Sequence, residues 1–128
     1  MRSRTRNTDK RRAITGPGTR KRSSLFLAVD IGNTNITLGL FPIAGKRTNR
    51  GPLRIWRIST DASRTPDEYG AELVDLFGLA GFSAESVAAA GVASVVPALN
   101  AVFKEALGVY FGVRPSEIFM ITFPLHFA

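Results

Sequence analysis

The stretch Leu27-Ala28-Val29-Asp30-Ile31-Gly32-Asn33-Thr34-Asn35, LAVDIGNTN, decides how the chain is read. An apolar run ends on a carboxylate, a short polar segment with one glycine follows, and a second apolar run, ITLGLF, begins at Ile36. Leu25–Asp30 and Ile36–Phe41 have the β-branched and aromatic content of strands, and five residues between them suit a hairpin loop. Two readings of the loop stand side by side. In one, Asp30 and the asparagines bond their own backbone as an Asx-type turn. In the other, Asp30 faces a cleft, Gly32 lets a ligand approach, and Asn33, Thr34 and Asn35 offer uncharged donors to phosphate oxygens. A carboxylate beside phosphates is repulsive unless a cation lies between them, and Mg2+ suits that place.

Outward from the loop, the elements alternate. LRIWRIST (Leu53–Thr60) reads as a third strand near a sheet edge, with Leu53 and Ile55 on one side and Arg54, Trp56 and Ile58 on the other. Thr65-Pro66-Asp67-Glu68 is a capping box with proline at the first helical position. Tyr69, Leu73, Leu76, Phe77 and Ala80 then share a helical face, with Gly78 and Gly81 marking the end. SVAAAGVASVV (Ser86–Val96) has no helical stripe and reads as a strand buried on both faces. Pro97 opens a second helix, carrying Leu99, Val102, Phe103, Ala106 and Tyr110 on one face and stopped by Gly112. EIFMIT (Glu117–Thr122) is the last strand. The order β-β-β-α-β-α-β predicts an α/β domain with a mixed sheet, an antiparallel meander followed by parallel strands joined through crossovers. That order matches the ribonuclease-H-like core of the actin, sugar-kinase and Hsp70 superfamily.

Charge is unevenly spread. Nine of the 17 Lys and Arg residues lie in residues 1–24 with one acid, Asp9, so the formal +7 is a basic tail on a nearly neutral body. The tail is too poor in apolar residues to offset ordering entropy and is expected to be a disordered extension, leaving residues 25–128 as the folded domain. It has no apolar segment of a secretory signal. A basic tail can also neutralise nucleic-acid phosphates, but no aromatic is interleaved to stack on bases. GPGTRKRS lacks the spacing of a P-loop. Cysteine is absent, which excludes disulfides and thiolate metal sites. No apolar run approaches the roughly 20 residues of a membrane span, and a cytoplasmic location is expected.

Five segments in this order, DIGNTN with LGLF, WRISTD, RTPDEYG, GVASVVP and YFGV, closely resemble the type III pantothenate kinases of the same superfamily. The resemblance covers the body from Leu25 onward. It implies transfer of the γ-phosphoryl group of ATP to pantothenate, giving phosphopantothenate in the first step of coenzyme A synthesis. By matching position it implies that Asp30, Ile31, Gly32, Asn33, Thr34, Asn35, Ile36 and Thr37 form the ATP phosphate loop, with Asp30 acting at Mg2+ through water. Ser94, Val95, Val96 and Pro97 match a signature at a strand-to-helix junction. The family's general base, in a GxDR motif, and its site for a monovalent cation, K+ or NH4+, have no counterpart up to Ala128. A chain truncated before a second domain, inactive alone, is therefore expected, from a family that acts as a homodimer.

Other chemistries are weaker. A ribonuclease-H-type nuclease would need a carboxylate cluster, for which Asp30, Glu68 and Glu72 are the candidates, and the fourth strand adds no acid. Asp61 and Asp67 read as loop and first-turn acids, Arg57 and Arg64 as exposed arginines within reach of a phosphate, and Trp56 and Tyr110 as packing residues. His126 has no partner motif. The rival to an enzyme is a non-catalytic module, either a nucleotide-binding remnant or a nucleic-acid binder acting through the tail.

Overall fold

The computed structural model describes residues 24–43 and 51–122. The basic tail up to Ser23, the inner part of the turn between the second and third strands, and His126 lie outside the described residues. The elements are β1 (Leu25–Ile31), β2 (Asn35–Pro42), β3 (Arg54–Ser59), α1 (Pro66–Leu79), β4 (Val87–Ser94), α2 (Asn100–Phe111) and β5 (Ile118–Thr122). They form one five-stranded sheet in the order β3-β2-β1-β4-β5. β1 lies at the centre, antiparallel to β2 and parallel to β4; β2–β3 is antiparallel and β4–β5 parallel. This is the mixed α/β sheet expected from the element order, an antiparallel meander followed by parallel strands.

One face of the sheet carries the core. Leu27, Val29 and Ile31 of β1, Ile36, Leu38 and Leu40 of β2, Trp56 of β3 and Val92 of β4 are buried against Tyr69, Leu73 and Phe77 of α1 and Phe103, Leu107 and Phe111 of α2. Aromatic stacking ties the layers: Trp56 lies on Phe77 at 4.8 Å and Phe77 meets Phe111 edge-on at 4.9 Å. The capping box forms as expected, with the Glu68 amide donating to Thr65 Oγ1 at 3.1 Å and the Thr65 amide donating to Glu68 Oε1 at 2.8 Å. Gly112 ends α2 in the left-handed region at φ 70°, as its place after the helical face predicts.

The expectation for the fourth strand needs correction. β4 is covered on one face only: Val87, Ala90, Val92 and Ser94 are buried, whereas Ala89, Gly91 and Ala93 are half-buried on the far side. A bulge between the pairs Leu25–Val87 and Phe26–Ala89 lets Val87 and Ala90 both face the helices. The run of small residues reflects packing on the far side, where a Cβ at Gly91 would come within 3.0 Å of the Phe26 ring. The strand is also shorter than expected. Ser86 closes a single 3-10 turn, and after Ser94 the Val96 amide donates to Ser94 Oγ at 3.0 Å. A 3-10 turn at Pro97–Leu99 then leads into α2, which starts at Asn100.

Candidate functional site

β1 and β2 each run a residue further toward the loop than expected, leaving Gly32, Asn33 and Thr34 between them. The turn closes through the Gly32 amide, which donates to Asn35 O at 3.0 Å. No described non-glycine residue has positive φ, and the positive-φ glycines are Gly81 and Gly112. The turn is thus neither of the primed types that usually join two antiparallel strands. Gly32 is required for space, not for its φ: a Cβ there would lie 3.1 Å from Asn35 O.

Outside partners complete the turn. The Thr60 hydroxyl donates to Gly32 O at 2.8 Å, and the Thr60 amide donates to Thr34 O at 2.9 Å. At the neighbouring strand end, the Val95 amide donates to Ile31 O at 3.1 Å. Asn33, Thr34 and Asn35 stay exposed. The asparagines are therefore not needed to hold the loop together, since backbone and Thr60 do so. That arrangement favours a polar rim open to a ligand over a self-bonded Asx turn.

Strand alternation sorts the remaining loop residues. Ile31 and Ile36 are fully buried against the helices, so they present only backbone to the rim. Asp30 and Thr37 are cross-strand partners on the opposite face, and Arg57 lies next in the row, paired with Thr37. That face holds a hollow of about 660 Å3 lined by Asp30, Thr37 and apolar residues including Ala28, Gly39, Gly91 and Ala93. Phe119 and Ile121, each 54% exposed, and Ile55, 55% exposed, flank it. Asp30 is the one acid in this lining and is exposed at the central strand's end.

The single salt bridge among the described residues is Arg64–Glu72, so Asp30 has no cationic partner among them. A lone accessible carboxylate with a hydroxyl beside it fits hydrated Mg2+, which keeps most of its waters and binds through one or two carboxylates plus phosphates. Among the described residues lining the hollow, Asp30 is the one that could hold such an ion, through water.

The other acids and arginines have structural tasks. Ser63 donates from its amide at 2.9 Å and its hydroxyl at 2.7 Å to Asp61 Oδ1, and these bonds hold the Asp61 carboxyl below its ordinary range. Arg64 pairs with Glu72, which raises its pKa, and its guanidinium lies 4.7 Å over the Tyr69 ring. Tyr110 donates to Asp67 Oδ1 at 2.6 Å. With Glu68 in the capping box and Glu72 on Arg64, the carboxylate cluster of a nuclease does not assemble, and no group of three or more metal-ligating side chains occurs among the described residues. Arg57 remains exposed in the row with Asp30. No motif in the sequence marks Thr60, the last residue of the run read as the third strand; the strand is shorter than expected, Arg54–Ser59, and leaves Thr60 free to meet the turn. No described helix is long and apolar enough to cross a membrane.

Comparison with known sequences points to one family. The model of the type III pantothenate kinase family matches residues 26–124. The type III pantothenate kinase of Endomicrobium trichonymphae is 50% identical over 90 residues, covering 70% of this chain and 35% of that protein. That of Geobacter sulfurreducens is 44% identical over 91 residues, covering 71% and 33%. The chain thus spans about a third of the length of the curated relatives it matches. Among solved structures, Thermus thermophilus RuvC aligns over 77% of this chain and 61% of its own, at 15% identity and a TM-score of 0.47.

Proposed function

The chain belongs to the type III pantothenate kinase family, and on that premise we propose that it forms the phosphate-holding part of an ATP-dependent pantothenate kinase. The observation that supports this most is the β1–β2 turn, whose carbonyls are occupied by Thr60 while its polar residues and Asp30 stay open. Phosphoryl transfer demands neutralised phosphates, an in-line acceptor and a base at the attacking hydroxyl. In this reading the rim from Gly32 to Asn35 and the Thr37 hydroxyl hold the ATP phosphates, and Asp30 holds Mg2+. The γ-phosphoryl group passes to the hydroxyl of pantothenate, the first step of coenzyme A synthesis.

The base belongs to residues other than those described, because Asp30 is the only acid lining the hollow and is assigned to the metal. In the same proposal the family's whole enzyme, of which this chain spans about a third of the length, uses a monovalent cation, K+ or NH4+, and works as a cytoplasmic homodimer that holds pantothenate. The 128-residue chain is accordingly expected to bind Mg2+ and ATP without turnover. Calorimetric titration with ATP and Mg2+, paired with an assay of pantothenate-dependent ADP formation, tests both statements. Absence of nucleotide binding would overturn the phosphate role. Turnover matching that of the complete Geobacter sulfurreducens relative would overturn the assignment of the base elsewhere.

A further inference from the structure

Thr60 stands one residue beyond β3 and does not line the hollow, yet it makes two bonds to the β1–β2 turn, 28 residues away in the sequence for the hydroxyl bond. Both bonds capture carbonyls, those of Gly32 and Thr34. In a planar trans peptide the oxygen and the following amide hydrogen point in opposite directions. Holding the Gly32 carbonyl toward Thr60 therefore turns the Asn33 N–H away from Thr60, whereas Asn35, whose carbonyl accepts from the Gly32 amide, faces across the hairpin. An anion site needs that orientation, because a carbonyl swung toward a phosphate oxygen repels it, whereas converging amides attract it.

Within the turn one backbone bond, from the Gly32 amide to Asn35 O, closes the loop, and the Gly32 and Thr34 carbonyls are held from outside it. Its fixed point lies in the helical layer. Tyr69, fully buried on α1, accepts from the Asp61 amide at 2.9 Å and donates to the Asp61 carbonyl at 2.9 Å. Asp61 directly follows Thr60, so the core of α1 anchors the segment that anchors the turn.

We propose that Thr60 is a positioning residue whose hydroxyl, by holding the Gly32 carbonyl, keeps the Asn33 amide of the β1–β2 turn directed outward, where a nucleotide phosphate oxygen can meet it. The proposal rests on the phosphate-binding reading above and adds the group that orients the loop. It distinguishes an oriented loop from one that merely needs a bulky residue at this position.

The test compares Thr60→Val, which keeps the branched shape and loses the donor, with Thr60→Ser, which keeps the donor, in the full 128-residue chain. Affinity for a fluorescent N-methylanthraniloyl ATP with Mg2+ is measured beside the thermal midpoint, and the chemical shifts of the Gly32 carbonyl carbon and Asn33 amide are followed by NMR without nucleotide. Thr60→Val is expected to weaken binding about tenfold with little change in midpoint, and Thr60→Ser to restore it. Wild-type affinity in the valine variant, or a serine variant as weak as valine, overturns the proposal. If the wild-type chain binds no nucleotide, the phosphate reading and the phosphate-directed part of this proposal fall together. The shift data then separate them: Gly32 carbonyl and Asn33 amide shifts that move in valine and not in serine retain Thr60 as the residue orienting the turn, and unmoved shifts remove that role too.

Discussion

The Tyr110 ring of α2 lies directly over the backbone of Gly70 on α1, so close that a Cβ at Gly70 would fall 2.3 Å from Tyr110 Cδ1 and 2.6 Å from Cγ. The contact sets how near the two helices approach. Gly70 costs helix propensity of about 1 kcal/mol relative to alanine, which this packing offsets. Gly70→Ala is therefore expected to destabilise the domain by about 1–3 kcal/mol despite alanine's better propensity, because the ring or the helix must move. Urea denaturation of the chain checks this. A stabilised variant would show that Tyr110 swings aside freely.

The same tyrosine should titrate abnormally. Its hydroxyl donates to Asp67 Oδ1, and that bond, followed by burial and the negative charges of Asp67 and Glu105, raises its pKa above 10.0. A raised folded-state pKa means that the contribution to stability is complete below the unfolded value and is lost as pH climbs through the folded one. The contact between α1 and α2 should therefore weaken only in the alkaline range, above pH 10. Carbon NMR of Tyr110 Cζ follows the titration directly, and Asp67→Ala should move its midpoint back toward the ordinary value.

The start of α1 offers a local test of stability. Thr65 and Glu68 bond reciprocally across the first turn, and Asp67 and Glu68 place negative charge at the helix N-terminus. Removing the cap with Thr65→Ala should cost about 1 kcal/mol, read from the shift in the urea midpoint at constant slope. Nucleotide affinity should stay near the wild-type level, since Thr65 lies outside the hollow.

Asp30 should behave in the opposite way. It is exposed and has no cationic partner among the described residues, so Asp30→Asn is expected to leave thermal stability almost unchanged. Its effect should appear only with metal, as a loss of about tenfold or more in ATP affinity when Mg2+ is present and little loss in its absence. Titrations with and without Mg2+ separate the two conditions. Equal loss in both would mean that the carboxylate contributes through the loop's shape.

Much of this was legible because it is written in local chemistry. The capping box at Thr65, the stop at Gly112 and the alternation of Trp56 against Ile55 depend on neighbours within a few residues. The polar turn after β1 stood out because its residue types and spacing occur in order with the four later segments. The ends of β4 and the loop length between β1 and β2 were less legible, since backbone bonding with another strand decides where a strand stops. Gly70 drew no notice within its helical run, because the ring that requires it comes from a helix forty residues later.

The sequence by itself determined the order of elements, the helix boundaries to within a few residues, the family resemblance and the position of the polar turn. Only the tertiary structure decided that α1 and α2 cover one face of the sheet and leave Asp30 and Thr37 on the other. Only the structure, too, brought Thr60 to the carbonyls of Gly32 and Thr34. The physical reason is the same in both cases. Propensity and periodicity act between near neighbours, whereas the direction of a carbonyl in a turn depends on which distant donor the sheet register delivers to it.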